Sequence, residues 1–275
     1  MRKKHYNLNK NMNKFLYILL FSVLFVSCSP YQKALKSEDL AFKYEVATQK
    51  YEKEKYTKAI RLFEQIAGPN RGKPQAEKLF YMFAQSYYKT EQYYLAAYQF
   101  ESFAATYPKS ELREEAYFLA AKSYSMLSPV YSLDQTDTDK AIDKLQNYIN
   151  TYPNSPNFDE ANKIIAALRD KLEKKAFEIA KQYNTISDYK SAVKSLDNFI
   201  SDYPGTKYKE DALYYKFDSA YKLALNSVPS KVEERLNIAK TAYSGLMRFK
   251  ADTKYKKEAD EKLANIETEL QKFSK

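Results

Sequence analysis

The chain has 275 residues, 44% of them hydrophobic and 29% charged, with only 4 glycines, 9 prolines and a formal net charge of +10. Five basic residues, Arg2, Lys3, Lys4, Lys10 and Lys14, fall in the first 27 positions, which hold no acid, so the rest carries 40 basic against 35 acidic residues. A surplus that small and dispersed excludes the concentrated basic face of a nucleic-acid binder. One cysteine, Cys28, and one histidine, His5, exclude a disulfide framework, a thiol-rich metal site and a Cys/His nucleophile pair.

In chain order, residues 1–14 are polar and positive, and Phe15 to Val26 are mostly apolar. Twelve such residues are too short to span a bilayer but fit a secretory core, and they end at Ser27-Cys28. The segment resembles a bacterial lipoprotein signal peptide. That resemblance implies cleavage after residue 27, diacylglycerol on the Cys28 sulfur and a further acyl chain on the new amine. Residues 28–37 then read as a lipid-anchored tether, and no later stretch is apolar enough to cross a membrane.

Beyond it one phrase returns: Thr106-Tyr107-Pro108-Lys109-Ser110, Thr151-Tyr152-Pro153-Asn154-Ser155 and Asp202-Tyr203-Pro204-Gly205-Thr206. Twelve residues before each proline stands an alanine (Ala96, Ala141, Ala192), and eight after it another (Ala116, Ala161, Ala212). The same intervals join Ala239, Ala251 and Ala259, where Ala251 replaces the proline, and join Ala59 to Arg71. Within each unit a small residue lies twelve places earlier: Ala47 before Ala59, Ala84 before Ala96, Ala180 before Ala192. Bulky residues follow the second alanine by four (Phe63, Phe100, Leu145, Leu196, Tyr243) and by seven (Ile66, Phe103, Tyr148, Phe199, Leu246), one helical stripe of buried knobs. Fixed offsets repeated every few dozen residues predict stacked helical hairpins, each stopped by its proline.

Two departures stand out. The third hairpin separates Ala121 from Ala141 by eight residues more than the others, and the excess lies in the Pro- and Asp/Thr-rich stretch Ser128–Asp139. Lacking the glycine and closing glutamate of a calcium loop, it reads as a helix-capping connection without a metal. Between Pro156 and Ile186, apolar spacing runs unbroken through Ile164, Ile165, Leu168, Leu172, Ala176, Ile179 and Tyr183, predicting one helix of roughly 45 Å. The charges on it, Lys171, Glu173, Lys174 and Lys175, read as its solvated face.

Small, small, aromatic and proline positions in this order resemble the tetratricopeptide repeat over about residues 38–270. The expectation is an all-α solenoid of about five helical hairpins, with repeats one to three over 38–155 and the long helix and last repeats over 156–275. A lipid cysteine, a Tyr-Pro-Asn-Ser phrase before a long Leu-Arg-Asp-Lys-Leu-Glu-Lys-Lys-Ala-Phe-Glu-Ile-Ala helix, and Ala-Gln-Ser-Tyr-Tyr-Lys at 84–89 resemble the BamD family, lipoproteins of the outer-membrane β-barrel assembly machinery. The resemblance implies a periplasm-facing adaptor on the outer membrane that binds the POTRA domains of the barrel subunit BamA and contacts unfolded barrel precursors. A scaffold of another envelope system, peptidoglycan or Tol-Pal, is the alternative.

Hairpin stacking exposes a face of first helices whose residues are Tyr44, Thr48 and Tyr51, then Tyr81, Gln85 and Tyr88, then Phe118 and Lys122. Tyrosine offers apolar area and a hydroxyl together, so this face suits an extended peptide. The family resemblance implies that the last hairpins dock the barrel subunit, at an edge carrying Lys190, Lys194 and Asn198. Without His, free Cys or a phosphate loop in the mature chain, the expectation is a binding protein rather than an enzyme, with no cofactor beyond the lipid on Cys28.

Overall fold

The computed structural model describes residues 29–273, in which twelve regular elements are present and all are α-helices. The expected signal peptide of residues 1–27 and the expected lipidation site Cys28 lie outside the described residues. The chain divides into two compact units, Met1–Leu127 and Ser128–Lys275.

The first unit begins with a correction. Residues 30–36 are not a tether but a helix, α1 (Pro30–Lys36), started by a proline and capped by the Ser29 hydroxyl, which accepts from the Gln32 N–H at 3.3 Å. Tyr31 and Ala34 are buried against α2 (Leu40–Glu52) and α3 (Tyr56–Asn70). A tyrosine and an alanine at i and i+3 make one apolar edge, too short a pattern to stand out in sequence. Helices α4 (Ala76–Lys89) and α5 (Tyr93–Thr106) form the next hairpin, and α6 (Arg113–Leu127) packs on α5.

Of the ruler's alanines, Ala47, Ala59, Ala84, Ala96, Ala116, Ala141, Ala161, Ala180, Ala192, Ala212, Ala239 and Ala259 are buried, and Ala251, in the place of the proline, is exposed. A methyl group is what lets two helix axes approach to about 8 Å. Of the ten knobs, nine are buried; Tyr243 is half-buried and donates its hydroxyl to Asp260 at 2.6 Å.

Within three hairpins the turn carries a left-handed residue: Glu54 (φ 56°), Glu91 (φ 59°) and Ser187 (φ 65°). Around Glu91 its own N–H reaches Tyr88 O at 3.1 Å and the next N–H reaches Tyr87 O at 3.0 Å, which closes the helix end with two otherwise orphaned carbonyls satisfied. A side chain with a Cβ is strained there, so Glu91→Gly should raise stability by up to about 1 kcal/mol, read as a higher Tm. A lower Tm would show that the glutamate makes a compensating contact.

In the second unit, α7 (Thr136–Thr151) packs on α8 (Phe158–Thr185), followed by α9 (Tyr189–Asp202), α10 (Lys209–Leu225), α11 (Pro229–Phe249) and α12 (Lys256–Gln271), each against its predecessor. Helix α8 is the expected long helix at 28 residues, yet it does not bury one stripe. Ala161, Ile165 and Leu168 are buried in its first half and Phe177, Ala180 and Asn184 in its second. The second set is rotated by roughly 100–180° about the axis from the first. Leu172 and Ala176 are half-buried and Ile179 is exposed. The apolar run through them concealed a change of face.

Nor are the lysines of α8 a solvated face. Lys171 donates to the Ser128 hydroxyl (2.6 Å) and carbonyl (3.3 Å), Lys175 donates to Leu133 O (2.6 Å), and Lys174 lies 4.3 Å over the Tyr131 ring. Burial pushes the Lys171 ammonium below its ordinary range. Gln135 closes the connection from within, donating to Val130 O and Leu133 O at 2.9 Å and accepting from the Thr138 hydroxyl at 2.8 Å. The Asp134 carboxylate accepts from the Thr136 N–H at 2.9 Å. Carbonyls that no helix satisfies are what drew the lysine tips inward.

The recurring phrase works through a residue the ruler passed over. In Ser110, Ser155, Thr206 and Thr253 the backbone N–H returns to the carbonyl three residues back at 3.1–3.3 Å. The hydroxyl of each accepts from the N–H two residues on, at Leu112, Asn157, Tyr208 and Tyr255, 3.1–3.4 Å away. This turn forms equally where Ala251 replaces proline. The hydroxyl, two places past the proline position, is therefore the part that starts the next helix. The Tyr107, Tyr152 and Tyr203 rings tilt against Phe103, Tyr148 and Phe199 at 5.1–5.6 Å.

Candidate functional site

Two surfaces collect the residues that sequence reasoning singled out, one in each unit. In the first, α4 carries Tyr81, Gln85 and Tyr88 at spacings of four and three, so all three project from one side. Gln85 donates to the Tyr81 hydroxyl at 3.0 Å, and the Tyr81 ring stands edge-on to Phe100 (6.0 Å) and Phe103 (5.4 Å). Tyr88 stands edge-on to Phe100 and Tyr93, and Tyr51 to Tyr56. The tyrosines are thus both wall and packing, held in rotamers that a bound peptide need not fix.

Tyr51 and Tyr81 meet in one groove of about 570 Å³, completed by Glu52, Pro74, Glu77, Lys78, Met82 and Leu112. Tyr44, Thr48, Gln85 and Tyr88 are half-buried beside these helices without lining it. Phe118 is a correction: only 3% exposed, it is core, with the Lys122 ammonium 5.6 Å over its ring, because the third first-helix is pressed onto α5. The acids of the groove escaped sequence reading. Glu77 is fixed by the Ser110 hydroxyl at 2.6 Å, so the phrase that starts α6 also aims a carboxylate at the groove. That pairing spans 33 residues and left no local signal.

Burial pushes the phenols of Tyr51 and Tyr81 up, and the Glu115 carboxylate adds to both shifts. Both stay neutral donors at any physiological pH. Tyr81 is buried with its hydroxyl engaged by Gln85 and Glu115, so it is the half-buried Tyr51 that can offer a hydroxyl to an incoming backbone carbonyl.

On the second surface, Lys190, Lys194 and Asn198 lie at successive intervals of four along α9, and all three are exposed. They line one groove of about 470 Å³ whose floor is Val193, Ala220, Leu223 and Ile238 and whose far wall is Glu234 and Arg235 of α11. Arg235 is steadied by donating to the Ser227 hydroxyl at 2.6 Å, and Asp197 pairs with Lys216. An apolar floor under a mixed-charge rim can seat a protein edge and fix its register. Ile238, nearly half exposed, is the largest uncovered apolar side chain on it.

Among the described residues no three His, Cys, Asp or Glu side chains are grouped to hold a metal, and no helix is long and apolar enough to cross a membrane.

Comparison with known proteins bears on these surfaces. The family model for YfiO, described as an outer membrane lipoprotein, matches residues 38–236. The outer membrane protein assembly factor BamD of Haemophilus influenzae is 22% identical over 237 residues, covering 82% of this chain and 90% of that one. Among solved structures, a Podosopora anserina kinesin light chain of nearly identical TPR-like repeats is 15% identical with a TM-score of 0.31, covering 86% of this chain and 99% of that one. A superposition at that TM-score is no argument for the fold, which rests on the helix packing itself.

Proposed function

We propose that this chain, which belongs to the YfiO family of outer membrane lipoproteins, is a lipid-anchored adaptor on the periplasmic face of the outer membrane that serves β-barrel protein assembly. Its premise is the family match across both helical units. In this reading the α9–α11 groove docks the POTRA domains of the barrel subunit BamA. Its exposed Lys190 and Lys194 above an apolar floor are the observation that carries the assignment. The tyrosine-walled groove of the first unit takes an extended segment of an incoming barrel precursor, whose unsatisfied carbonyls match the neutral Tyr51 phenol. Both surfaces bind, and neither brings together groups for bond chemistry.

Gentle capture of the detergent-solubilised protein tests the reading. The large β-barrel subunit should co-purify, and reversing two rim charges with Lys190→Glu and Lys194→Glu should reduce its recovery about tenfold or more, as for close charge pairs at an interface. Recovery of cell-wall proteins in place of the barrel subunit would assign the chain to another envelope scaffold. Unchanged recovery in the double variant would move the docking surface elsewhere.

A further inference from the structure

Helix α1 and the first hairpin gather six lysines that form no ion pair among the described residues. Lys33 and Lys36 leave the exposed side of α1. Lys50 of α2 and Lys58 of α3 both reach over the buried ring of Tyr31, with ammonium groups 5.9 and 5.3 Å from its centroid. Lys53 and Lys55 are exposed on either side of the left-handed Glu54 in the turn between. Of the five acids between Pro30 and Lys58, Glu54 sits exposed among these lysines and Glu38 is exposed ahead of α2, while the other three are engaged. Asp39 caps α2, Glu45 accepts from Gln49, and Glu52 faces the tyrosine groove. Burial and the neighbouring charges of Lys55, Lys58 and Lys53 push the Lys50 ammonium below its ordinary range. Like charges held together by a folded turn favour an anion that would relieve them.

Where this patch stands in the chain decides which anion. Tyr31 follows Cys28 by three residues, at most about 11 Å of fully extended chain. The patch is therefore pinned within reach of the bilayer that the acyl chains enter, whereas a free tether would have let it drift off. We propose that this lysine face lies on the membrane and binds the anionic phospholipid headgroups around the anchor. The inference rests on the reading of Cys28 as lipidated. A lysine near an anionic surface gains about 1 kcal/mol, so a few together hold the first hairpin down where acyl chains alone would hold only the terminus.

Lysine footprinting of the mature protein tests this. Protein purified from membranes is reconstituted into vesicles of phosphatidylcholine alone or with about one third phosphatidylglycerol, then treated with a membrane-impermeant amine-acylating reagent. Modification of Lys53, Lys55 and Lys58, read by mass spectrometry, should be about fivefold slower in the anionic vesicles. The difference should vanish in about 0.5 M sodium chloride, where surface charge is screened within a few ångströms. Lys190 and Lys194, far along the chain, should react alike in both. Equal rates at the three lysines, in protein whose intact mass carries the acyl chains, would overturn the proposal. An intact mass without acyl chains, with protein free of the vesicles, would remove the anchor and the proposal together, so the mass tells the two failures apart.

Discussion

Replacing Asp218 with alanine should cost about 2–4 kcal/mol of folding free energy, because it removes a buried acceptor shared by three donors. Asp218 lies at the centre of the second unit, 3% exposed. It accepts from Lys222 and Lys262 at 2.6 Å and from the Asn184 amide at 2.8 Å, and so joins α8, α10 and α12. Burial opposes ionisation of this carboxyl, but hydrogen bonds from Lys222, Lys262 and Asn184 outweigh it and hold the group below its ordinary value of 3.8. Lys222 is partly exposed and can turn to water when the acid is removed, whereas Lys262, only 16% exposed, is left with Glu258 at 2.6 Å and the Tyr214 hydroxyl at 3.1 Å. Denaturant unfolding measures the loss, and a change below about 1 kcal/mol would show that the network is not coupled to folding. Removing both charges with Asp218→Leu and Lys262→Met should recover much of the loss, since an apolar pair of similar volume often replaces a buried ion pair at little cost.

Its pH dependence has a definite sign. A carboxyl whose folded pKa is depressed contributes stability that is complete above its unfolded pKa and is lost as pH falls through the folded value. Glu210 behaves likewise: hydrogen bonds from Lys250 and Thr253 hold it at about 2, well under its ordinary 4.5. Stability of the second unit should therefore be flat near neutrality and fall as pH drops from about 4.5 toward 2, with a shallower fall in the Asp218→Ala variant.

Phe100→Ala should be comparably severe, about 3–5 kcal/mol, because a fully buried ring leaves a cavity that helices locked by alanine contacts cannot close. Phe100 is fully buried beneath the tyrosine groove, with Tyr81 and Tyr88 standing edge-on to it. Losing it removes the support of both phenols, so capture of precursor segments should fall even under conditions where the variant remains folded. Tyr88→Phe, which keeps the ring and removes only a hydroxyl, is the control and should be nearly neutral in stability. If Phe100→Ala binds precursor as wild type does, the groove is not the binding surface.

How far these features could be read beforehand depended on the distance between partners. The alanine ruler was legible because a helix contact demands a small residue at a fixed interval, and repetition multiplied the signal. The twelve-residue and eight-residue offsets mark buried positions in every hairpin. What failed to show was tertiary in origin. The change of buried face within α8 is hidden because Leu172, Ala176 and Ile179 continue the first stripe convincingly. Helix α1 is hidden because one tyrosine and one alanine make no period. The lysines at 171, 174 and 175 resemble any exposed face until carbonyls of a loop some 40 residues away come to meet them. The Ser/Thr of the phrase stands in all four copies, but a single hydroxyl beside a proline has no apolar period to mark its role. At the candidate sites, Lys190, Lys194 and Asn198 fall together in one groove by virtue of their i, i+4, i+8 spacing. The acidic wall of the other groove depends on Glu77 and Ser110, which no local pattern links.

The two-faced helix α8 also limits how this chain can change length. Each residue added to a helix turns everything beyond it by about 100° and advances it by 1.5 Å. An insertion or deletion between Leu168 and Phe177 would leave both buried triplets intact in composition and still present the second to the wrong neighbour. The stretch between them contains no fully buried side chain, so outside the lysines that hold the connection its letters are less constrained than their number. In a repeat protein, whose loops absorb insertions readily, this one segment acts as a fixed gauge between the helices packed on either end.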